Sequence, residues 1–564
     1  MNKRILIVGG VAGGASVAAR ARRLDEFADI IMFEKGPNVS FSNCALPFHL
    51  SGLVENSEDL VLMDPHAFKT KYNIEARINH EVLTINRKEK TIVVKDLITE
   101  KKYEERYDVL VLSPGANPIL PCIEGINNPH VFTVRNVVDI DKLNQYIKKK
   151  DVREIAVVGG GFIGLEVAEN LRLAGIDVSL IETENQVMTP FDYDMAQILH
   201  KEMMDQGINL ILSDGVQKIT HDKVILQSGK KIPAQAVIMA IGVQPETTLA
   251  KEAGLEIGET GGIKVDNNYL TNDKNIYAVG DAIEVYNRLS HKPCRLALAG
   301  PAQRQARAAA DHIYNIPARN TGVIGSSVIK IFDLNAASTG LNEKAAKKAG
   351  ISYDFVYIIP GDKVGLMPKS NPMHFKLIYE VPTGRILGAQ AIGKGNVDKR
   401  IDVIATMITM NGTLEDLKEL ELCYSPMFGT AKDVVNVAAL VGLNILHGRF
   451  KQVPVTRVRE LVENNACIID VREKQEYEMG HLKNAMNIPM SEFRQRMDEI
   501  PKDVPVYLHC RSSQRSYNVV MALQYMGYDN VYNISGSYLG ICNYEYYTDQ
   551  ITGREKIVTS YNFN

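Results

Sequence analysis

Short apolar, β-branched runs recur along this chain, and most stop at a glycine cluster or an acid. Arg4–Val8 (RILIV) leads into Gly9-Gly10-Val11-Ala12-Gly13-Gly14, and an Ala/Arg-rich segment to about Leu24 predicts a helix. The next run, Asp29–Phe33, stops at Glu34. The pattern then repeats. Glu154–Val158 precedes Gly159-Gly160-Gly161-Phe162-Ile163-Gly164, a helix is predicted from Leu165, and Asp177–Ile181 stops at Glu182. LVLSPGANP (110–118, with Ser113 and Gly115) and AVIMAIGVQPE (236–246, with Gly242) each predict a buried-type strand running into a glycine turn, placed as return crossings between two domains. NIYAVGD (275–281) predicts a strand ending at Asp281, and LALAGPAQRQ (296–305, with Ala299) opens a helix.

Strand, glycine turn and helix in that order let backbone N–H groups and a helix N-terminus hold a pyrophosphate. An acid at the end of the second strand can bind a ribose hydroxyl, and Glu34 and Glu182 stand there. The first loop is an imperfect G-x-G-x-x-G, with Val11 at its middle glycine, and the second is complete. One glycine motif alone is compatible with a plain tight turn. Two complete strand–loop–helix–acid units predict two dinucleotides, FAD in the first and NADH in the second. Glu182 favours a free 2′-hydroxyl over a 2′-phosphate, so NADH is expected over NADPH.

After Thr321, Ser326–Phe332, His374–Glu380 and Ile386–Ile392 predict strands, with helices around 396–411 and 413–420. A basic-polar stretch, His447–Val453, links to a further segment. There the strand Ala466–Val471 carries Asp470 and is followed by Arg472, GHLKNAMNIP occupies 480–489, and the strand Val506–His509 runs into Cys510-Arg511-Ser512-Ser513-Gln514-Arg515-Ser516 and a helix. A cysteine in a loop winding back to a helix N-terminus is surrounded by N–H donors that stabilise an anionic sulfur adduct. Arg511 and Arg515 add positive charge. The tail after about Tyr544 is polar and aromatic and carries no functional reading.

Length and composition narrow the setting. At 564 residues the chain exceeds one core, and roughly three or four domains are expected. Its 45% hydrophobic and 23% charged content is ordinary for a globular protein. A formal net charge of -3 gives no reason to expect nucleic acid or an acidic membrane as a partner. The N-terminus has no signal-peptide pattern, and no apolar run has the length of a membrane span. Seven scattered cysteines do not make a disulfide framework, and no Cys-x2-Cys or histidine cluster argues for a metal. A soluble, cytoplasmic protein is expected.

Cys44, the one thiol of SFSNCALP (40–47), lies downstream of the first glycine loop and Glu34, within reach of a phosphate-anchored flavin. A free cysteine is ordinarily structural; two nucleotide sites in one chain favour redox use. Cys122, Cys294, Cys423, Cys467 and Cys542 have no ligand-like spacing and read as structural. Arg20 and Arg23, at i, i+3 on the first helix, share a face. They are either a phosphate grip near Cys44 or two solvated arginines.

Together these residues, over about 1–447, resemble the FAD-dependent pyridine nucleotide-disulfide oxidoreductases. SFSNCALP with one cysteine is similar to the branch containing coenzyme A disulfide reductases, NADH oxidases and NADH peroxidases. Cys510-x4-Arg515 with GHLKNAMNIP resembles a rhodanese, and the fusion resembles coenzyme A disulfide reductase-rhodanese proteins. The fold class implied is α/β: two Rossmann-like dinucleotide-binding domains, an α+β dimerisation domain and a C-terminal α/β rhodanese domain. The expected boundaries are 1–114 with 246–320 for FAD, 115–245 for NADH, 321–447 for dimerisation, 453–548 for the rhodanese and 549–564 for a tail.

The resemblance implies FAD at Gly9, Val11, Ala12, Gly14, Glu34, Ser113, Gly115, Asp281 and Ala299, and NADH at Gly159, Gly161, Gly164, Glu182 and Gly242. It implies catalysis by Cys44, Tyr424, Cys510, Arg511 and Arg515, with Tyr424 reaching across a homodimer or, alternatively, packing in the interface. Coenzyme A would be held by Arg20, Arg23, Ser40 and Asn43. The expected activity is NADH-dependent reduction of coenzyme A persulfide, polysulfide or coenzyme A disulfide, with sulfane sulfur carried at Cys510. Two departures bear on it. Gly365-Leu366-Met367-Pro368 replaces a tyrosine-bearing segment, which shifts weight toward persulfide or polysulfide, and Ser513 stands where glycine is common. The alternative is an NADH oxidase or peroxidase cycling Cys44 through sulfenic acid, although Ala12 stands where those relatives carry histidine. A third reading is a redox-sensing or sulfur-carrier protein with little turnover.

Overall fold

The computed structural model describes residues 2–563. It divides into two compact units, Met1–Thr183 with Ser213–Val323, and Glu184–Leu212 with Ile324–Asn564.

In the first unit Arg4–Val8 is the middle of a five-stranded parallel sheet ordered Ile276–Ala278, Val109–Leu112, Arg4–Val8, Asp29–Glu34, Glu75–Ile78. The run RILIV is apolar throughout because both faces are covered. Ile5 and Ile7 pack against Val17, Ala18 and Ala21 of the helix Ala12–Leu24 and against Ala306, Ala309 and Ala310 of the helix Ala299–Ile313. Leu6 faces the other way, with Ile85, Ile92 and Val94 of an antiparallel sheet. The second glycine motif starts a similar arrangement. Glu154–Val158 pairs in parallel with Asp177–Ile181 and Ala236–Met239, and the latter with Val131–Phe132. The two return crossings meet as an antiparallel ribbon, Ala116–Pro118 with Val243–Pro245. The strand predicted over 275–281 stops at Ala278; Gly280, at φ 81°, turns the chain, and Asp281 lies on a short 3-10 turn.

The second unit contains a five-stranded antiparallel sheet, ordered Ser327–Ile331, Leu334–Gly340, Ile386–Gly393, Met373–Glu380, Tyr353–Ile358, and a five-stranded parallel one. The parallel sheet runs Gln452–Val453, Val531–Ile534, Val506–His509, Cys467–Asp470, Met486–Asn487. Among the described residues no helix is long and apolar enough to cross a membrane.

Glu184–Leu212, assigned above to the NADH domain, groups with the second unit. A buried charge network lies within this grouping. Lys376, fully buried in the strand Met373–Glu380, donates to both Asp194 oxygens at 2.9 Å and to Glu343 at 2.6 Å, and lies 3.2 Å from Asp192. Asp192 also accepts from Gln390 at 2.7 Å. The helix Tyr193–Asp205 packs along the helix Ser537–Thr552. Asp192, Asp194 and Glu343 converge closely enough to hold a cation, and the Lys376 ammonium is the cation they hold. The boundary expected at 548 falls inside Ser537–Thr552, whose last turns are anchored by buried Tyr547 and Asp549. The remaining tail folds back on this unit: Val558 bridges to Leu482, and Lys201 lies over the Phe563 ring at 4.1 Å.

Candidate active sites

The two glycine loops are built alike. A Cβ on Gly14 would collide with the Gly9 carbonyl oxygen, and one on Gly164 would collide with that of Gly159. Gly9 (φ 95°) and Gly159 (φ 115°) take a left-handed conformation that only glycine adopts cheaply. The middle positions behave differently. Gly161 has open space where a Cβ would stand, and Val11 has φ -102°, so a side chain fits there without strain. Neither helix has an acid in its first turn or a side chain capping its N-terminus. That leaves amide donors and a positive helix end for a pyrophosphate, so both loops fit a dinucleotide. Glu34 accepts from Gly10 N at 2.9 Å and Gly36 N at 2.8 Å, and Glu182 accepts from Gly160 N at 2.6 Å. Each acid thus fixes its loop. Ser113 N donates to Val8 O at 2.8 Å and brings Ser113 against Gly9 and Gly13; Gly115 and Gly242 make positive-φ turns at the ribbon. Ala299 begins a helix with no acid in its first turn.

Cys44 is exposed on the 3-10 segment Asn43–His49. The segment is held from both sides. Ser40, at φ 47°, donates from its backbone to Gly10 O at 2.8 Å, which ties the approach to Cys44 to the first glycine loop. From the other side, Asn144 donates to His49 Nε2 at 2.9 Å, Ser51 donates to Asn170 at 2.6 Å, and Asn43 donates to Arg135 O at 3.3 Å. Asn170 is on the helix Phe162–Leu173 that starts at the second glycine loop. The thiol element therefore bridges the two nucleotide folds. Burial raises the Cys44 pKa, and the negative charges of Glu166 and Asp281 raise it further. Glu166, on the same helix, is itself pushed up to about 7 by burial and then by Glu169. Asp281 is raised by burial, against the opposing pull of Arg135.

Arg20 Nε donates to Asp311 at 2.6 Å, because the helix Ala299–Ile313 lies along that side, while Arg23 is exposed. Arg20 is thus neutralised within its own domain. Tyr424 is 51% exposed, and Met427 and Phe428 beside it are exposed as well.

At the second thiol, Cys510 is 1% exposed. Cys510 N donates to Ser537 Oγ at 3.2 Å, Ser516 Oγ lies 3.5 Å from Cys510 Sγ, and Ser537 Oγ lies 3.9 Å from it. Ser513 supplies the left-handed turn itself, at φ 76°, and is held by bonds to Ile534 O at 3.2 Å and Ser537 Oγ at 3.1 Å. The loop thus keeps its turn without glycine. The helix begins at Gln514, so Arg515 is helical, and its guanidinium grips Glu476 at 2.6 and 2.7 Å. Arg511 is half-buried, and burial lowers its pKa despite Glu476. Behind the loop, Arg472 is buried against Asp470 and lies over the Tyr538 ring at 4.0 Å.

Sequence reasoning missed Glu166, Ser537 and Glu476. Ser537 had a local signal, Gly-Ser between the end of a strand and a helix start. The other two had none, since each meets its thiol or arginine only through the fold.

Cys44 and Cys510 each fall within a stretch that matches a known family. Residues 3–306 match pyridine nucleotide-disulphide oxidoreductase, 326–433 match its dimerisation domain, and 455–544 match the rhodanese-like domain. The coenzyme A disulfide reductase of Staphylococcus haemolyticus (strain JCSC1435) is 34% identical over 438 residues, 77% of this chain and 98% of that protein. The structure of reduced Bacillus anthracis CoADR-RHD is 43% identical and superposes with a TM-score of 0.94, covering 96% of this chain and 98% of that one. The NAD-dependent persulfide reductase from A. fulgidus is 33% identical, with a TM-score of 0.91 over 95% of this chain and 99% of its own. A water-forming NADH oxidase from Lactobacillus brevis is 26% identical, with a TM-score of 0.76 over 79% of this chain and 100% of its own. This chain belongs to the pyridine nucleotide-disulphide oxidoreductase family and carries a rhodanese-like domain at its C-terminal end.

Proposed function

We propose that this protein is an NADH-dependent, FAD-containing reductase of sulfur–sulfur bonds, acting on coenzyme A persulfide, polysulfide or coenzyme A disulfide, with its rhodanese domain handling sulfane sulfur at Cys510. The observation that carries this reading is one exposed thiol, Cys44, on an element tied to both glycine loops, in a chain that also holds a second thiol in a serine-lined loop. The relatives named for coenzyme A disulfide and persulfide reduction support the substrate class.

When bound, the flavin supplies a two-electron relay between NADH and sulfur. The chain's own residues do the rest. The loops at Gly9–Gly14 and Gly159–Gly164 hold the pyrophosphates, and Glu34 and Glu182 offer carboxylate oxygens to ribose hydroxyls. Cys44 attacks the substrate's sulfur–sulfur bond as a thiolate; one Cys44–sulfur bond forms, and the other sulfur leaves as thiolate or HS⁻. Two electrons and a proton then release the second thiol and restore Cys44. Cys510 accepts a sulfane sulfur as a persulfide and passes it to a thiol acceptor, with the Ser516 and Ser537 hydroxyls beside the sulfur. A homodimer through the 326–433 domain would bring Tyr424 of one subunit to Cys44 of the other, and Glu182 gives the preference for NADH.

The test is anaerobic NADH oxidation with coenzyme A persulfide, polysulfide, coenzyme A disulfide and hydrogen peroxide, on wild type, Cys44→Ser and Cys510→Ser. Sulfide release abolished by Cys44→Ser, with little turnover of peroxide, is expected. A loss in Cys510→Ser confined to polysulfide or thiosulfate would assign that domain to delivery. Peroxide as the best acceptor, with no sulfur substrate turned over, would overturn the proposal.

A further inference from the structure

We infer that Glu476 sets the donor specificity of the rhodanese domain: locked onto Arg515 beside Cys510, it disfavours dianionic sulfur donors such as thiosulfate relative to singly charged persulfides. The inference rests on the reading of Cys510 as a carrier of sulfane sulfur.

The ion pair is built into the fold. Glu476 is the third residue of the helix Lys474–Glu478, and its carboxylate closes a capping box by accepting from Glu473 N at 3.2 Å. The same carboxylate takes both terminal nitrogens of the Arg515 guanidinium, Nη1 at 2.6 Å and Nη2 at 2.7 Å. A two-point fork of this kind fixes geometry as well as charge, and the capping bond keeps the acid from swinging away. Arg515 lies in the first turn of the helix that follows the Cys510 loop. Its charge is held above the ordinary arginine range by Glu476 first and, against burial, by Cys510. Arg515 therefore serves both the sulfur and the acid. In return it holds the Glu476 carboxyl below the usual carboxylate range, so the negative charge is present throughout the neutral range. The cation behind the loop is matched in the same way: Arg472 donates to both Asp470 oxygens and, at 2.7 Å, to Gly480 O.

The chemistry of the donor decides what this arrangement does. The Cys510 thiolate attacks the outer sulfur of the donor, a bond from Cys510 Sγ to that sulfur forms, and the donor's own sulfur–sulfur bond breaks. The electron pair of the broken bond leaves with the remainder. From thiosulfate the remainder is sulfite, a dianion; from an alkyl persulfide it is a thiolate, a monoanion. A thiosulfate thus brings two negative charges toward Glu476 where a persulfide brings one. Glu476 and Arg515 are both only half-buried, so water screens the repulsion. At roughly 6 Å in water, one carboxylate charge slows a dianion about tenfold and a monoanion about threefold.

The test uses the FAD-loaded full chain without NADH, so that Cys44 does not turn over. It follows thiocyanate formed from cyanide, with thiosulfate or 2-hydroxyethyl persulfide as donor and the Cys510→Ser protein as blank. Glu476→Gln keeps an oxygen for the Glu473 N–H and removes the charge. It should raise kcat/KM about tenfold for thiosulfate and about threefold for the persulfide, so that the ratio of the two climbs about threefold. Glu476→Asp keeps the charge but is too short for the fork; it should slow both donors alike and leave the ratio at its wild-type value. The ratio is read within each protein, so a general folding loss cancels from it. A ratio unchanged in Glu476→Gln, or raised as much in Glu476→Asp, overturns the inference. No Cys510-dependent thiocyanate from either donor in wild type overturns both the inference and the reading of Cys510 as a sulfur carrier.

Discussion

Lys376→Met removes the one cation buried among Asp192, Asp194 and Glu343. Burial alone would depress the lysine pKa, but the three carboxylates overcome it and hold the ammonium charged above the ordinary lysine range. Asp192 is already raised, by burial first and then by Asp194 and Glu343, with Lys376 pulling against them. Without that pull a carboxyl here must take up a proton to stay buried. Uptake at pH 7 by a group whose unfolded pKa is about 3.9 costs about 4 kcal/mol, and at pH 5 about 1.5 kcal/mol. The sign follows from the raised folded pKa: the penalty is absent below the unfolded value and grows as pH rises. The first figure agrees with the loss of about 3–5 kcal/mol seen when a buried pair loses one partner. At about 2 °C per kcal/mol for a unit of this size, the second unit should melt about 8 °C lower at pH 7 and about 3 °C lower at pH 5. Calorimetric melts of FAD-loaded wild type and variant at both pH values test this. An equal loss at the two pH values, or a loss under about 2 °C at pH 7, would refute the reasoning.

Other outcomes are equally specific. Gly164→Ala drives a Cβ into the Gly159 carbonyl, so the variant should stay yellow while its KM for NADH rises roughly tenfold or more, as expected for lost cofactor binding. Glu166→Gln removes a negative charge that raises the Cys44 pKa; alkylation of Cys44 against pH should then titrate at lower pH than in wild type, and an unchanged profile would exclude that influence. Tyr357→Ala removes the ring lying 2.6 Å from where a Gly536 Cβ would stand, just before Ser537 of the Cys510 loop. It should cost about 3–5 kcal/mol in unfolding by denaturant and reduce thiosulfate sulfurtransferase activity, whereas Tyr357→Phe, which keeps the ring, should retain most of both.

What the sequence made legible was carried by backbone. The glycine loops, their strands and the terminal acids Glu34 and Glu182 could be placed because each motif closes within a short stretch of chain, where sterics leave few choices. Cys510 could be placed for the same reason. The partners of buried charges could not. Lys376 sits at a buried position of its strand, but its acids lie 182 residues upstream at Asp194 and 33 residues upstream at Glu343. That pairing groups the segment around Asp192 and Asp194 with the antiparallel sheet. Nor could the bond from Arg20 to Asp311, far along the chain, be read from the spacing of Arg20 and Arg23. The tail lacked a reading because its aromatic residues have meaning only against Lys201 and the helix they cover.

The stretch entering the rhodanese domain is not a tether. Phe450 is 3% exposed within that domain's core, Gln452 donates to Phe355 O at 2.8 Å on the antiparallel sheet, and Asn444 donates to Tyr517 OH at 2.6 Å. A domain moored in this way cannot swing its thiol about like a lipoyl arm. Any sulfur leaving Cys510 must travel on a small carrier that does the moving, so its rate should depend on carrier concentration rather than on hinge motion. Cutting at 447–453 would not liberate an intact sulfurtransferase either, since it would strip Phe450 from one core and leave the Phe355 carbonyl without its donor.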